Sequence, residues 1–347
     1  MPSHDNDAAS DLLVRCLEAE GVEYVFGLPG EENIWLIRSL KRSGKIRYVL
    51  VHHEQAASFM ADIYGRLTGR AGVCSATLGP GAINLLLGTA DAQTCSAPLV
   101  ALGAQVALSR IFKESHQFID LAAMFRPVTK WSDTVLTPAA IPEMVRKAFD
   151  QAQTGRPGAV FLAVPEDVEQ VSMPGALPPL RIPRSARPLV GLEALGSAAG
   201  IMNQARRPIV LAGHGVARAG AAEALVRFAT AANLPVAVTF HGKGVIPDAH
   251  PNAIGTVGFM RPDYENASFD EADAILAVGY EIQEFDPIRI NPKRDKRIVH
   301  LHEFAQDSDK CYQPELRAYL SRNLVRGDPY LAHVEKDGSG GEAAGSG

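Results

Sequence analysis

The sequence predicts an α/β protein made of two doubly wound parallel-sheet domains. Short apolar runs alternate with longer stretches of helical periodicity along most of the chain. The runs are apolar throughout, which is typical of parallel strands covered by helices on both faces. A proline-rich segment interrupts this pattern once, and the pattern then resumes. We therefore predict a first domain at residues 1–165, a linker at 166–190, a second domain at 191–325 and a disordered tail, rich in glycine and serine, at 326–347.

The first block alternates strictly between helix and strand. Leu12, Leu13, Cys16 and Leu17 share one helical face, and Gly21 follows as a stop signal. Further on, glycines close a helix at Gly69 or open a turn after a strand, as in Gly79-Pro80-Gly81. The predicted helices are 9–20, 33–42, 54–68, 82–92 and 138–153, and the predicted strands are 22–27, 46–51, 72–77, 98–103 and 158–164.

The second block repeats the alternation, with strands predicted at 208–212, 235–239, 274–279 and 297–301 and a helix at 218–232. Its first strand runs into Gly213-His214-Gly215, which faintly resembles a dinucleotide-binding turn. The third glycine is displaced to Gly220, however, and close helix packing explains the glycines equally well. A nucleotide-binding regulatory module that uses this turn is therefore one functional hypothesis, with weaker support than the two that follow below.

Composition excludes several classes of protein. The 347 residues carry a formal net charge of −5 without a basic block, which argues against a nucleic-acid partner. No apolar run approaches the roughly 20 residues of a membrane span, and the polar N-terminus is unlike a secretion signal. The four cysteines are scattered, as reduced thiols of a cytoplasmic protein would be. His52 and His53 are adjacent and point apart on an extended chain, so we predict no metal site.

Three features follow predicted strands of the first block. These are the turn Gly27–Gly30, the sequence His52-His53-Glu54 and the turn Gly79–Gly81. Ligands of open parallel sheets bind at the carboxyl ends of the strands, so the three features could converge on one crevice. Alternatively, Glu54 only favours the helix dipole from the first turn of its helix.

Together the motifs resemble those of thiamine diphosphate-dependent enzymes of the acetolactate synthase group. The stretches that carry the resemblance are "VFGLPGEEN", "VHHEQAASFMADIYGRLTGRAGVCSATLGPGAINLLLGTADA", "PLVALGAQV" and "HQFIDLAAMFRPVTKW". They occur in the family's order, and the resemblance runs from about residue 10 to about residue 315. It implies a pyrimidine-binding domain followed by a central domain. The implied reaction decarboxylates pyruvate and joins the two-carbon fragment to a second 2-keto acid.

The resemblance also implies roles for individual residues. Glu54 matches the glutamate that contacts the aminopyrimidine ring of thiamine diphosphate and activates the cofactor, so it is both a catalytic and a cofactor-binding candidate. The further cofactor-binding candidates are Gly30, Gly79, Gly81 and Asn84. Gln117 matches a glutamine that reaches into the active site, and the segment Gly103-x-Gln105 precedes it. Lys130 matches a lysine near the substrate entrance.

Flavin is not expected from the central domain. The segment "VGYEIQEFDP" at 278–287 is closer to the flavin-free, catabolic branch than to the "GARFDDR"-like segment of the flavin-containing, biosynthetic branch. Arg156, in "TGRPG", matches an arginine associated with flavin in the latter. The same stretch also occurs in flavin-free relatives, so we expect a structural role for Arg156.

The family's third domain holds Mg²⁺ and the diphosphate through a Gly-Asp-Gly segment and a later Asn pair. The nearest match here is Gly327-Asp328-Pro329, so we expect the Mg²⁺ site to lie on another chain. Members of the family place each cofactor between two subunits. We therefore expect a homo-oligomer, or a partner chain that carries the diphosphate-binding domain. The alternative is a catalytically silent, truncated subunit with a binding or assembly role.

Overall fold

A computed structural model describes residues 8–173, 177–183, 191–258 and 264–319. They fall into two compact units, divided between positions 185 and 186. Each unit is built on one six-stranded sheet whose strands are all parallel, with helices between them in the chain. The predicted fold class is therefore confirmed. The predicted tail at 326–347 lies outside the described residues.

The sheet of the first unit has the strand order β2-β1-β3-β4-β6-β5. Three of its four inner strands are buried at every residue, whereas the strands at its two edges have no buried residue. The strands are β1 Tyr24–Gly27, β2 Arg47–Leu50, β3 Gly72–Ala76, β4 Leu99–Gln105, β5 Trp131–Thr134 and β6 Ala159–Pro165. The edge strand β5 was not predicted, because its polar residues interrupt any apolar run.

Helices cover both faces of this sheet over two separate apolar cores. One core takes residues from α1, α2 and α7, and the other takes residues from α3 to α6. The helices are α1 Ala9–Ala19, α2 Ile34–Ser43, α3 Glu54–Thr68, α4 Pro80–Asn84, α5 Leu86–Thr94, α6 Leu121–Phe125, α7 Ile141–Gln153 and α8 Glu166–Gln170. Three details differ from prediction: the helix expected at 82–92 breaks at Leu85, the short helix α6 was not expected, and the segment expected to be linker begins with the helix α8.

The second unit has the strand order β12-β11-β10-β7-β8-β9. Its strands are β7 Pro208–Ala212, β8 Val236–Thr239, β9 Ala253–Val257, β10 Ala274–Val278, β11 Arg297–His302 and β12 Leu316–Tyr319. Its helices are α9 Leu192–Gln204, α10 His214–Ala219, α11 Ala222–Ala232 and α12 Tyr264–Glu271. The edge strands β9 and β12 and the helices α9 and α12 were not predicted. The helix expected at 218–232 divides at Gly220, whose φ of 67° ends α10.

Parallel pairing brings the strand ends of the first unit to one edge. Gly27, the last residue of β1, pairs with Leu50 of β2 and with Ser75 of β3. Ala76, the last residue of β3, pairs with Gly103 of β4. The segments that follow these four strands therefore leave the sheet side by side, at what we call the carboxyl edge of the first unit.

Within the described ranges, no helix is long and apolar enough to cross a membrane.

Candidate functional site

Glu54 lies at the carboxyl edge of the first unit as the first residue of α3. The preceding residue, His53, is extended and caps the helix, since its Nδ1 accepts a hydrogen bond from the backbone N–H of Gln55 at 3.2 Å. His53 is exposed, whereas Glu54 is only 6% exposed. A carboxylate that served the helix dipole alone would have no need of burial, so the position of Glu54 calls for a further explanation.

Asn84 orients the carboxyl group of Glu54. Its Nδ2 donates a hydrogen bond to Oε2 of Glu54 at 2.9 Å, from the last residue of α4. The other oxygen, Oε1, faces Gly81, and a β-carbon on Gly81 would stand only 3.2 Å from it. Any side chain at position 81 would therefore crowd this oxygen. The sequence motif Gly-Pro-Gly thus leaves space beside one oxygen of a buried carboxyl group.

The side chain of Thr77 lies next to both Gly30 and Gly81. A β-carbon on Gly30 would stand 2.5 Å from Oγ1 of Thr77, and one on Gly81 would stand 2.7 Å from its Cγ2. The hydroxyl of Thr77 donates to Oε2 of Glu32 at 2.8 Å. The predicted residues Gly30, Gly81, Glu54 and Asn84 are therefore brought together around Thr77. Sequence reasoning missed Thr77 and Glu32, although both lie in quoted motifs beside the glycines.

Gly79 and Gln117 meet at a second point of the same edge. Gly79 has a φ of +55° and precedes Pro80, so glycine is the residue that this turn requires. A β-carbon there would collide with the backbone carbonyl of Gln117 and stand 2.9 Å from its Cβ. Gln117 is exposed and itself has a positive φ of 54°, an unusual conformation for a residue with a side chain.

Gln105 anchors the loop that carries Gln117. This side chain ends β4 and is buried. Its Nε2 donates to the carbonyl of Ile119 at 2.9 Å, and its Oε1 accepts from the backbone N–H of Val106 at 3.0 Å. The motif Gly103-x-Gln105 thus closes both ends of the loop. The feature of the sequence that indicates this anchoring role is an amide residue at the end of an otherwise apolar strand, because a buried amide needs hydrogen-bond partners.

The phenol of Tyr48 lies on β2 near the same edge. Its hydroxyl is 2.5 Å from where a β-carbon on Gly27 would stand. Burial, and then the nearby carboxylate of Glu54, raise the pKa of Tyr48 well above its ordinary value. Tyr48 is therefore neutral at physiological pH and adds no charge to the site.

Lys130 and Arg156 lie elsewhere. They precede β5 and β6, so parallel pairing puts them at the opposite, amino edge of the sheet. The ammonium of Lys130 donates to the carbonyls of Gln151, Thr154 and Arg156, the last two at 2.9 and 2.8 Å. The guanidinium of Arg156 donates through Nε to the hydroxyl of Ser96 at 2.8 Å. The structure thus does not bring either residue to Glu54, and these contacts fasten the end of α7.

The carboxyl edge of the second unit carries a different glutamate. Glu284 accepts hydrogen bonds from the backbone N–H groups of His214 and Glu281, at 3.2 and 2.9 Å, and from the hydroxyl of Thr239. Burial raises the pKa of this partly buried carboxyl group to about 7, although these hydrogen bonds oppose the shift. A β-carbon on Gly213 would stand 2.6 Å from Oε1 of Glu284.

A buried ion pair lies close to that carboxylate. Arg218 and Glu281 are 3% and 2% exposed at their side chains, and Nη1 of Arg218 is 2.7 Å from Oε1 of Glu281. The guanidinium also lies over the ring of Phe304, 5.1 Å from its centroid. Burial and the positive charge of Arg218 lower the pKa of the neighbouring His214 to about 4, so His214 is neutral at physiological pH.

Comparison with known proteins identifies both units. Residues 7–124 match the family model described as thiamine pyrophosphate enzyme, N-terminal TPP binding domain, and residues 195–321 match the model for the central domain of the same enzymes. Thiamine pyrophosphate, or TPP, is another name for thiamine diphosphate.

Curated relatives bear acetolactate synthase names. The chain is 37% identical over 288 residues to the probable acetolactate synthase large subunit of Methanocaldococcus jannaschii, covering 78% of this chain and 46% of the relative. It is 35% identical over 331 residues to the acetolactate synthase of Bacillus subtilis, covering 94% and 56%. It is 32% identical over 311 residues to the acetolactate synthase isozyme 1 large subunit of Escherichia coli, covering 88% of this chain and 54% of the relative. The chain thus spans about half the length of these relatives. It belongs to the thiamine pyrophosphate enzymes, and it carries their N-terminal TPP-binding domain and their central domain.

Proposed function

We propose that the chain takes part in an acetolactate synthase reaction. Pyruvate loses carbon dioxide, and the remaining two-carbon fragment is joined to a second 2-keto acid. The observation that supports this most is the buried carboxyl group of Glu54, which Asn84 holds through one oxygen while the other oxygen faces a space kept by Gly81. The relatives' names indicate the same reaction.

The residues at the carboxyl edge of the first unit fit the pyrimidine ring of thiamine diphosphate. A ring nitrogen needs one polar partner, and Oε1 of Glu54 is turned toward the space where a β-carbon on Gly81 would intrude. When bound, the cofactor supplies the carbanion chemistry of the reaction. We assign to Glu54 the holding of a proton at the ring, to Asn84 the orientation of that carboxyl group, and to Gly30, Gly79 and Gly81 the space for the ring. We assign to Gln117 a contact with the reacting groups.

The diphosphate and Mg²⁺ would be bound by residues beyond those described here. Within the described residues, no cluster of three or more His, Cys, Asp or Glu side chains could hold a metal ion. We propose that a second chain, one with a diphosphate-binding domain, completes the site. Three apolar side chains of α3 support this, because Met60, Ile63 and Leu67 are 44%, 49% and 81% exposed and lie on one helical face.

We further propose that the central domain works without flavin. The donors at the carboxyl edge of the second unit are already engaged by Glu284, and a dinucleotide phosphate would bring a second negative charge to the same place. Arg156, the residue matched to flavin binding, is held by Ser96 at the amino edge of the other unit. A cytoplasmic location and a 2-keto acid substrate belong to the same proposal.

The test is acetolactate formation from pyruvate in the presence of thiamine diphosphate and Mg²⁺. The full chain is assayed alone and together with a chain that carries a diphosphate-binding domain. We expect Glu54→Gln to lower kcat at least about 100-fold, because the amide cannot hold a proton at the ring as a carboxyl group does. The thermal midpoint should change little.

Glu143→Gln is the matched control. Glu143 is also an acidic residue in the first turn of a helix, α7, but it is exposed. A loss of charge at a helix terminus would affect both variants equally, whereas the proposal requires full activity in Glu143→Gln. If Glu54→Gln is as active as wild type, the catalytic assignment is wrong. If no preparation makes acetolactate, the chain is a silent binding or assembly subunit.

A further inference from the structure

Thr77 separates the two carboxyl groups of the site. Its γ-hydroxyl points to Glu32, which accepts the hydrogen bond at 2.8 Å. Its γ-methyl points the other way, to within 2.7 Å of the position that a β-carbon on Gly81 would take. Oε1 of Glu54 is 3.2 Å from the same position, so the methyl carbon and this oxygen are at most 5.9 Å apart. The methyl group therefore borders the space that Oε1 faces.

The orientation of Thr77 is not fixed by its shape alone. Rotation about χ1 to another staggered rotamer moves the hydroxyl to the place that the methyl group now takes, and the methyl group then takes the place of the β-hydrogen. In a second rotamer the hydroxyl would face Gly81. It would then offer a donor to Oε1 of Glu54, directly or through one water molecule. A ligand donor that needed the same oxygen would have to displace it.

From this geometry we infer that Glu32 is a positioning residue: by holding the hydroxyl of Thr77, it keeps Oε1 of Glu54 available to the pyrimidine ring. This inference rests on the proposed function of Glu54. Glu32 itself does not touch the reacting atoms, and acts through the rotamer of Thr77. Asn84 and Glu32 thus have complementary tasks, since one engages Oε2 of Glu54 and the other keeps a competing donor away from Oε1.

The first measurement needs no ligand. Three-bond couplings from the γ-methyl carbon of Thr77 to the backbone nitrogen and carbonyl carbon report χ1, and they can be recorded on the full chain labelled throughout with the spin-active isotopes of carbon and nitrogen. We expect a single rotamer in wild type and in Glu32→Gln, whose amide oxygen still accepts the hydrogen bond. In Glu32→Ala we expect averaged or exchanged couplings. A Glu32→Ala chain that keeps the wild-type couplings would overturn the inference.

The second measurement is the calorimetric Kd of thiamine diphosphate with Mg²⁺. We expect Glu32→Ala to raise Kd about three- to tenfold, the range for one misplaced hydrogen bond, and Glu32→Gln to stay within about twofold of wild type. The decisive control is a Thr77→Val background, which lacks the hydroxyl. There Glu32→Ala should change Kd less than about twofold. A loss that persists in this background would show that Glu32 acts by another route.

Two further variants keep the outcome interpretable. Glu32→Ser, with a side chain too short to reach Thr77, serves if the alanine variant lowers the thermal midpoint. Glu54→Gln separates the inference from the function on which it rests. If Glu54→Gln binds like wild type, the proposed function fails. If Glu54→Gln weakens binding while Glu32→Ala does not, only the role of Glu32 is refuted.

Discussion

The carboxyl edges of the two sheets each carry a glutamate among glycine turns, but the two side chains are engaged differently. In the first unit, Asn84 binds one oxygen of Glu54, and the other oxygen faces a space beside Gly81. In the second unit, Glu284 accepts from His214, Glu281 and Thr239, and it crowds Gly213. The same architecture therefore leaves one edge open to a ligand and closes the other with the chain's own carboxylate.

Alanine substitution at Gly213 and at Gly81 should have the largest effects, and the two effects should differ in kind. In Gly213→Ala the new methyl group would overlap the backbone of Tyr280 and stand 2.5 Å from the carbonyl oxygen of Gly279. Backbone atoms cannot move aside cheaply, so we expect a loss of about 3 kcal/mol in the free energy of unfolding of the second unit. In Gly81→Ala the new methyl group meets only the side chains of Thr77 and Glu54. We expect a loss of about 1 kcal/mol there, with thiamine diphosphate binding weakened about tenfold or more.

Chemical denaturation and calorimetry measure both effects on the same variants. Gly44→Ala indicates the cost of backbone strain alone, since its φ of +66° is unfavourable for alanine but nothing lies within 4 Å of a β-carbon there. Equal stability losses in Gly213→Ala and Gly81→Ala, with unchanged ligand binding, would mean that the two edges do not differ as described.

A smaller effect should appear in the pH dependence of stability. Burial raises the pKa of Glu284 from its ordinary value near 4.5 to about 7. Between these values the unfolded chain has lost the proton that the folded chain keeps, so the free energy of unfolding falls as pH rises. For a partly buried group we expect a contribution of about 1–2 kcal/mol, present below pH 4.5 and lost by pH 7.

Glu284→Gln should remove this part of the slope, because the amide does not titrate. Denaturation at pH 4.5 and pH 7 gives the change in the free energy of unfolding between the two pH values, and this change is compared between wild type and variant. Glu223→Gln, at an exposed site in the first turn of α11, is the control and should keep the wild-type slope. An unchanged slope in Glu284→Gln would contradict the role given to this carboxyl group.

The central strands and the glycine turns could be predicted from the sequence, because full burial requires continuous apolar runs. The runs of β3, β4 and β6 gave strands within one or two residues of their observed bounds. The edge strands β5, β9 and β12 were missed since half-buried strands mix polar and apolar residues. The break at Leu85 was also missed, because no glycine or proline marks it.

From the residues alone the site was predictable as a convergence of strand ends, and the resemblance to the family supplied its individual members. Glu54 was found because it lies shortly after the end of a strand, and the strand register explains why it meets the Gly79–Gly81 turn. Its pairing with Asn84 spans 30 residues, and the bond between Thr77 and Glu32 spans 45. Such side-chain pairs depend on helix placement to within a fraction of an ångström, which periodicity does not supply. The engagement of Glu284 across 70 residues was missed for the same reason.

The central claim is that the open oxygen of Glu54 receives the ring of thiamine diphosphate. Titration of the full chain with thiamine diphosphate and Mg²⁺, for wild type, Glu54→Gln and Glu143→Gln, tests it most directly. We predict that Glu54→Gln raises Kd at least about tenfold, as expected for a buried hydrogen bond to a charged group, whereas Glu143→Gln leaves Kd unchanged. Equal Kd values for all three proteins would contradict the claim.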